Sequence, residues 1–106
     1  MVYENIEARP ITPNQGVEIS GVDLNRLRDD QAADIKQALI DWKIIIFRDQ
    51  KISPQRYASF MTLFGEPVEE DLAPVDDNPP NVGTIHILPN EQQKINFWHM
   101  DHSFRA

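Results

Sequence analysis

The sequence predicts an α+β domain in which two helices flank about four short strands. Two patterns indicate this class. Apolar residues recur at helical spacing in two segments, and short runs rich in β-branched and aromatic residues are bounded by turn-forming residues. The chain has 106 residues, of which 41% are hydrophobic and 25% charged. This is ordinary globular composition, and it excludes a disordered or fibrous chain.

The first strand and the first helix are predicted in the N-terminal half of the chain. We expect a short strand with its turn over Val17–Leu24, and a helix that Asp29 or Asp30 caps and that ends near Trp42. The helix is predicted because four apolar residues lie at positions i, i+3, i+4 and i+7, which places them on one face. They are Ile35, Ala38, Leu39 and Trp42.

The second strand and the second helix follow directly. The segment Lys43–Arg48 holds successive isoleucines and a phenylalanine, which is typical of a fully buried strand. Ser53 and Pro54 are an N-cap followed by proline at the first helical position, and Gly65 is expected to end the helix. One apolar helical face is expected to belong to the core rather than to a cofactor site. It consists of Tyr57, Phe60, Met61 and Phe64.

The last part of the chain is predicted to hold a loop and two more strands. Residues Glu66–Asn81 contain several prolines and no periodicity, and a loop of this length is uncommon unless it is functional or mobile. Strands are expected over Val82–Leu88 and Asn96–Phe104. The loop carries much of the acidic excess of the chain, which we interpret as a solvated surface rather than a rim that attracts a cation. The acidic residues are Glu66, Glu69, Glu70, Asp71, Asp76 and Asp77.

Charge and composition exclude several classes of function. The net charge of −7 argues against nucleic acid, whose phosphates need a basic surface. No apolar run approaches 18 residues, so no membrane span is expected, and the N-terminus lacks the pattern of a secretory signal. The sequence has no cysteine, which excludes disulfides and thiolate metal sites and is compatible with the cytoplasmic location that we expect.

The candidate metal ligands are His99 and Asp101, which are separated by one residue in a predicted strand. Side chains at i and i+2 of a strand point to the same face, about 7 Å apart at the backbone, so both can reach one ion. An imidazole and a carboxylate are two ligands of the three that hold non-haem Fe(II). His102 would point to the opposite face, and His86 is a lone strand histidine, so neither is a good third ligand.

The run Trp98–Phe104 resembles the first metal motif of the taurine- and phenoxyacetate-dioxygenase family of Fe(II)/2-oxoglutarate enzymes, Trp-His-x-Asp-x-Ser-Phe. Three upstream segments resemble the same family in the same order. Ile19–Leu24 is similar to its N-terminal strand and turn, Ile44–Gln50 to its strand that ends in Phe-Arg-Asp-Gln, and Phe64–Glu66 to its Phe-Gly-Glu turn. A bare His-x-Asp is a weak motif, whereas four segments in register are specific.

The resemblance implies the fold and the chemistry. It implies a double-stranded β-helix, or jelly roll, which needs eight strands. We therefore expect residues 1–106 to be a single incomplete domain, the N-terminal portion of that fold in a longer enzyme or a truncated product of one. His99 and Asp101 would bind Fe(II), while the second histidine and the arginine that holds 2-oxoglutarate have no counterpart in this chain. Dioxygen, 2-oxoglutarate and the substrate would be consumed, yielding succinate, carbon dioxide and the hydroxylated substrate.

The resemblance also bears on the substrate. Asn96 corresponds roughly to a family amide near the substrate and is the candidate substrate-binding residue. Taurine-processing members bind the sulfonate with a histidine and a tyrosine, and Glu70 and Ala73 stand near those places. Because a carboxylate repels a sulfonate, we expect a small organic substrate other than taurine. Assembly as a homo-oligomer is left open.

Two other functions compete with the oxygenase. The chain could instead be a catalytically incompetent fragment that acts only as a binding or interaction module. A zinc hydrolase that uses His99, Asp101 and His102 is disfavoured, because these side chains would not share one face of the strand. A downstream histidine followed by an arginine in the gene would favour the oxygenase over the binding module.

Overall fold

The architecture centres on a three-stranded mixed sheet with one helix packed on it. The computed structural model describes residues 2–66, 78–79, 82–83, 88–90 and 98–100. The strands are β1 (Glu7–Pro10), β2 (Val17–Ser20) and β3 (Ile45–Phe47), in the order β1-β2-β3. The helices are α1 (Asp29–Trp42) and α2 (Pro54–Met61), and 3₁₀ turns cover Leu24–Arg26 and Thr62–Phe64.

Strand β2 is the centre of the sheet. It pairs antiparallel with β1, where Ala8 lies opposite Ile19, and parallel with β3, where Val17 lies opposite Ile45. The β1–β2 pair is closed by a short loop in which the Ile11 N–H donates to the Gly16 carbonyl at 2.9 Å. A parallel pair needs a long crossover connection, and α1 supplies it between β2 and β3.

The core lies between the sheet and α1. Val17 and Ile19 alternate along β2 and are buried on one face, where they meet Ile35 and Ala38 of α1. Glu18 and Ser20 point to the other face and are more exposed. The prediction of a helical stripe is therefore confirmed for Ile35 and Ala38, whereas Leu39 and Trp42 are only half-buried.

Helix α1 has the predicted length, but its cap differs from the prediction. The N-cap position is Arg28, and Asp29 and Asp30 form the first turn, where carboxylates favour the positive end of the helix. Asp30 Oδ1 accepts a hydrogen bond from the Gln31 N–H at 2.7 Å. At the other end Lys43 adopts a left-handed conformation with φ 70°, and its N–H donates to the Leu39 carbonyl at 2.9 Å.

Residues 2–6, which precede β1, form an N-terminal strap along α1. The Tyr3 hydroxyl donates to Asp41 Oδ2 at 2.7 Å, and Asp34 Oδ2 accepts from both the backbone and the side-chain amide of Asn5, at 2.9 and 3.1 Å. The next residue, Ile6, is buried in the core. Side-chain hydrogen bonds and one apolar anchor therefore hold the strap.

Helix α2 begins where the sequence predicts. Ser53 is the N-cap, since its Oγ accepts the Arg56 N–H at 3.1 Å, and Pro54 occupies the first helical position. Phe60 packs edge-on against Phe47 at a ring-centre distance of 5.8 Å and against Phe64 at 5.3 Å.

The burial predicted for the apolar stripe of α2 is wrong for two of its four residues. Phe60 and Phe64 pack against the core, whereas Tyr57 and Met61 are 44% and 37% exposed. The prediction of a fully buried Lys43–Arg48 strand is also wrong. All three residues of β3 are half-buried, and Ile44 is exposed. Among the described residues β3 has a neighbouring strand on one side only.

The class of the fold is confirmed as α+β. Strand β1 was not predicted, and the two later strands predicted over Val82–Leu88 and Asn96–Phe104 lie largely outside the described residues. The jelly roll therefore stays a prediction. No helix in the described part of the chain is long and apolar enough to span a bilayer.

Candidate metal centre

Only one of the predicted site residues lies among the described residues. His99 is exposed, as are its neighbours Trp98 and Met100. Asp101 and Asn96 lie outside the described residues, as do His86 and His102. The prediction that His99 and Asp101 share one face therefore stays a prediction, and so does the contact of Asn96 with substrate.

The donor chemistry of the pair fits an iron site in part. His99 is an exposed residue, and a nitrogen and an oxygen donor in this spacing are two of the three ligands that Fe(II) oxygenases use. Within the described stretches, no group of three or more histidine, aspartate or glutamate side chains could hold a metal ion. Among the described residues, no cluster of potential ligands therefore indicates a metal site within residues 2–66.

The upstream family segments have structural roles around the sheet. Ile19 is a core residue of β2, and Gly21 follows the strand with φ 76°, a conformation that favours glycine. Asp23 then caps the 3₁₀ turn, since its Oδ1 accepts the Asn25 N–H at 2.9 Å. This segment therefore turns the chain from the sheet toward α1.

Gln50 joins two of these segments. Its Oε1 accepts the Leu24 N–H at 2.9 Å, and its Nε2 donates to the Val22 carbonyl at 3.1 Å and to the Arg48 carbonyl at 3.3 Å. Next to it, the Asn25 side chain donates to the Lys51 carbonyl and accepts the Ser53 N–H at 3.1 Å. These two amides fix the turn after β2 against the chain after β3.

Arg48 has an electrostatic role on the outer face of the sheet. Its Nε donates to Glu18 Oε2 at 2.9 Å, and Arg9 approaches the same oxygen at 3.8 Å. The hydrogen bond from Arg48 lowers the pKa of Glu18, and the same bond raises the pKa of Arg48. The three side chains thus connect β1, β2 and the end of β3 across the sheet, since like-facing residues of neighbouring strands lie side by side.

A cleft of about 290 Å³ opens between the start of α1 and helix α2, which the sequence did not indicate. Its walls come from segments that are distant in the chain, so no local pattern could have revealed it. It is lined by Leu24, Leu27, Asp29, Ala32, Arg56, Ser59, Phe60, Thr62 and Leu63. His99, the predicted site residue that the structure describes, is not in this lining.

Comparison with known proteins identifies the family to which the chain belongs, a family of dioxygenases. The chain matches the model of the family described as taurine catabolism dioxygenase TauD, TfdA family, over residues 7–106. The chain therefore belongs to the TauD/TfdA family. This match includes the segment of His99 and Asp101 and the three upstream segments on which the resemblance was also based.

Solved structures agree with this membership. A taurine dioxygenase from Burkholderia xenovorans is 33% identical, with a TM-score of 0.63, over 72% of this chain and 28% of that one. AAD-2, solved in complex with Mn(II) and N-oxalylglycine, is 25% identical, with a TM-score of 0.55, over 58% of this chain and 25% of that one. The chain thus covers 28% and 25% of the length of these two solved proteins.

Proposed function

We propose that this chain supplies His99 and Asp101 as two ligands of the Fe(II) centre of a 2-oxoglutarate-dependent dioxygenase. The enzyme would act in the cytoplasm and hydroxylate a small organic substrate while 2-oxoglutarate is decarboxylated to succinate. One observation carries the proposal: the family match continues through the His-x-Asp motif to residue 106, instead of ending with the N-terminal scaffold. The exposure of residue His99 is consistent with this role, because a ligand must be reachable by the ion.

Each residue of the motif has a distinct role in this proposal. His99 would bind the ion through a ring nitrogen and Asp101 through a carboxylate oxygen. Bound iron would supply open coordination positions for 2-oxoglutarate and dioxygen. Asn96 would orient the substrate through its amide, which both donates and accepts hydrogen bonds.

The remaining parts of the centre are expected from residues beyond these 106. The family resemblance requires a second histidine as third ligand and an arginine for the distal carboxylate of 2-oxoglutarate. The chain covers 28% of the solved taurine dioxygenase, so turnover is proposed for a protein that also contains those groups. Two ligands without a third would hold Fe(II) weakly.

The substrate that we propose is not taurine. In the sequence resemblance, Glu70 corresponds roughly to one of the positions with which taurine-processing members bind the sulfonate, and two negative groups at one site would repel each other. A neutral or cationic molecule, or a carboxylate held by other groups, avoids this repulsion. Substrate-dependent succinate release from a panel of such molecules, with taurine included, tests this part of the proposal.

The iron site is tested by substitution of its two ligands. His99→Ala and Asp101→Ala should each abolish the weak visible charge-transfer band that Fe(II) and 2-oxoglutarate give under anaerobic conditions, and should abolish succinate formation. The thermal midpoint should change little, because His99 is exposed. His102→Ala is the matched control, since it removes a neighbouring imidazole that is predicted to point to the other face.

The outcome separates the competing functions. Wild-type iron binding and decarboxylation in either ligand variant would show that the assignment is wrong. If the single variants His102→Ala and His99→Ala both lose metal binding, the result would favour the zinc site formed by His99, Asp101 and His102. If a longer protein that includes the downstream histidine and arginine binds neither iron nor 2-oxoglutarate, this chain is better described as a binding module.

A further inference from the structure

We draw no further inference here: the strongest candidate, the exposed isoleucines Ile11, Ile40 and Ile44 around the junction of the β1–β2 loop with the end of α1, is an apolar surface for which nothing among the described residues shows what covers it.

Discussion

Gln50 shows how one side chain can hold two segments of the fold together. Replacing it with alanine would leave the Leu24 N–H and the Val22 carbonyl without their partner, at 2.9 and 3.1 Å in the native protein. Leu24 is a core residue, so water would satisfy these groups poorly. We expect Gln50→Ala to lower the free energy of unfolding by about 1–2 kcal/mol. Urea denaturation of the full chain measures this.

Gln15→Ala is the matched control for that substitution. Gln15 is exposed in the β1–β2 loop, and its recorded hydrogen bonds use backbone atoms. Its replacement should change stability by about 0.5 kcal/mol or less. Equal effects of the two variants would contradict the bridging role of Gln50.

Tyr3 makes the stability of the strap sensitive to alkaline pH. Burial of the phenol, together with its hydrogen bond to Asp41, raises the pKa of Tyr3 from 10.0 to about 12. The folded pKa is above the unfolded one, so this contribution is fully present below about pH 10 and is lost as the pH rises through about 12. Conversely, the hydrogen bond from Tyr3 lowers the pKa of Asp41, whose contribution is lost in acid.

The alkaline prediction can be measured residue by residue, because the chain contains two tyrosines. In Tyr57→Phe the remaining tyrosine should titrate near pH 12 by ultraviolet difference absorbance. In Tyr3→Phe the decline of stability above about pH 10 should be shallower than in the wild type. A tyrosine that titrates at its ordinary value in Tyr57→Phe would show that the contact with Asp41 does not hold in solution.

The hydrogen bonds of individual residues were the part that sequence could not predict. Gln50 and Leu24 are 26 positions apart, and nothing in the composition of either segment indicates that their side chain and backbone meet. Tyr3 and Asp41 are 38 positions apart. Such pairs depend on how α1 and the sheet are placed in space, which local pattern does not specify.

Helix α2 packs against the core mainly through Phe60, while Tyr57 and Met61 of the same apolar stripe are exposed. Phe60 contacts both Phe47 and Phe64 in edge-on geometry, which adds to the burial of its ring. We expect Phe60→Ala to cost about 2–3 kcal/mol of unfolding free energy, less than the 3–5 kcal/mol typical of a fully buried phenylalanine, because Phe60 is only half-buried. Calorimetry or denaturant titration would report it.

Tyr57→Ala provides the comparison on the same helix. It also truncates an aromatic residue, but Tyr57 is 44% exposed. It should therefore cost about 1 kcal/mol or less. If Tyr57→Ala were the more destabilising change, the orientation of α2 on the sheet would be wrong.

The elements with clear local signals were predicted and the others were not. Helix α1 was predicted from the spacing of Ile35, Ala38, Leu39 and Trp42, although its cap was not, and the start of α2 was predicted from Ser53 and Pro54. Strand β1 was missed because its sequence, Glu-Ala-Arg-Pro, has no apolar alternation and ends in proline, which an edge strand tolerates. Full burial of β3 was wrong because a run of apolar residues does not show how many strands lie beside it.

For the whole molecule, the scaffold and the proposed iron site should be separable. The core of residues 2–66 consists of apolar side chains of β2, α1 and their neighbours, so we expect this part to fold without metal. Chelation of iron from the protein should leave the amide-exchange protection of α1 unchanged and increase exchange around His99. Global loss of protection on chelation would contradict this separation.

For the whole molecule, the family could be predicted from the sequence. The metal site could be predicted only as the pair of ligands His99 and Asp101. Four segments in register were enough for membership, which the match over residues 7–106 confirms. The approach of His99 and Asp101 to one ion depends on the predicted strand that carries both residues. Of the two, Asp101 lies outside the described residues.

The parallel pairing of Val17 with Ile45 also bears on the order of events during synthesis. The β1–β2 hairpin can close as soon as its own residues have emerged from the ribosome. The third strand must wait until all of α1 has been made. Until then the apolar face of the hairpin is uncovered, so a pause in translation within α1 would prolong the interval in which the nascent chain is most prone to aggregate.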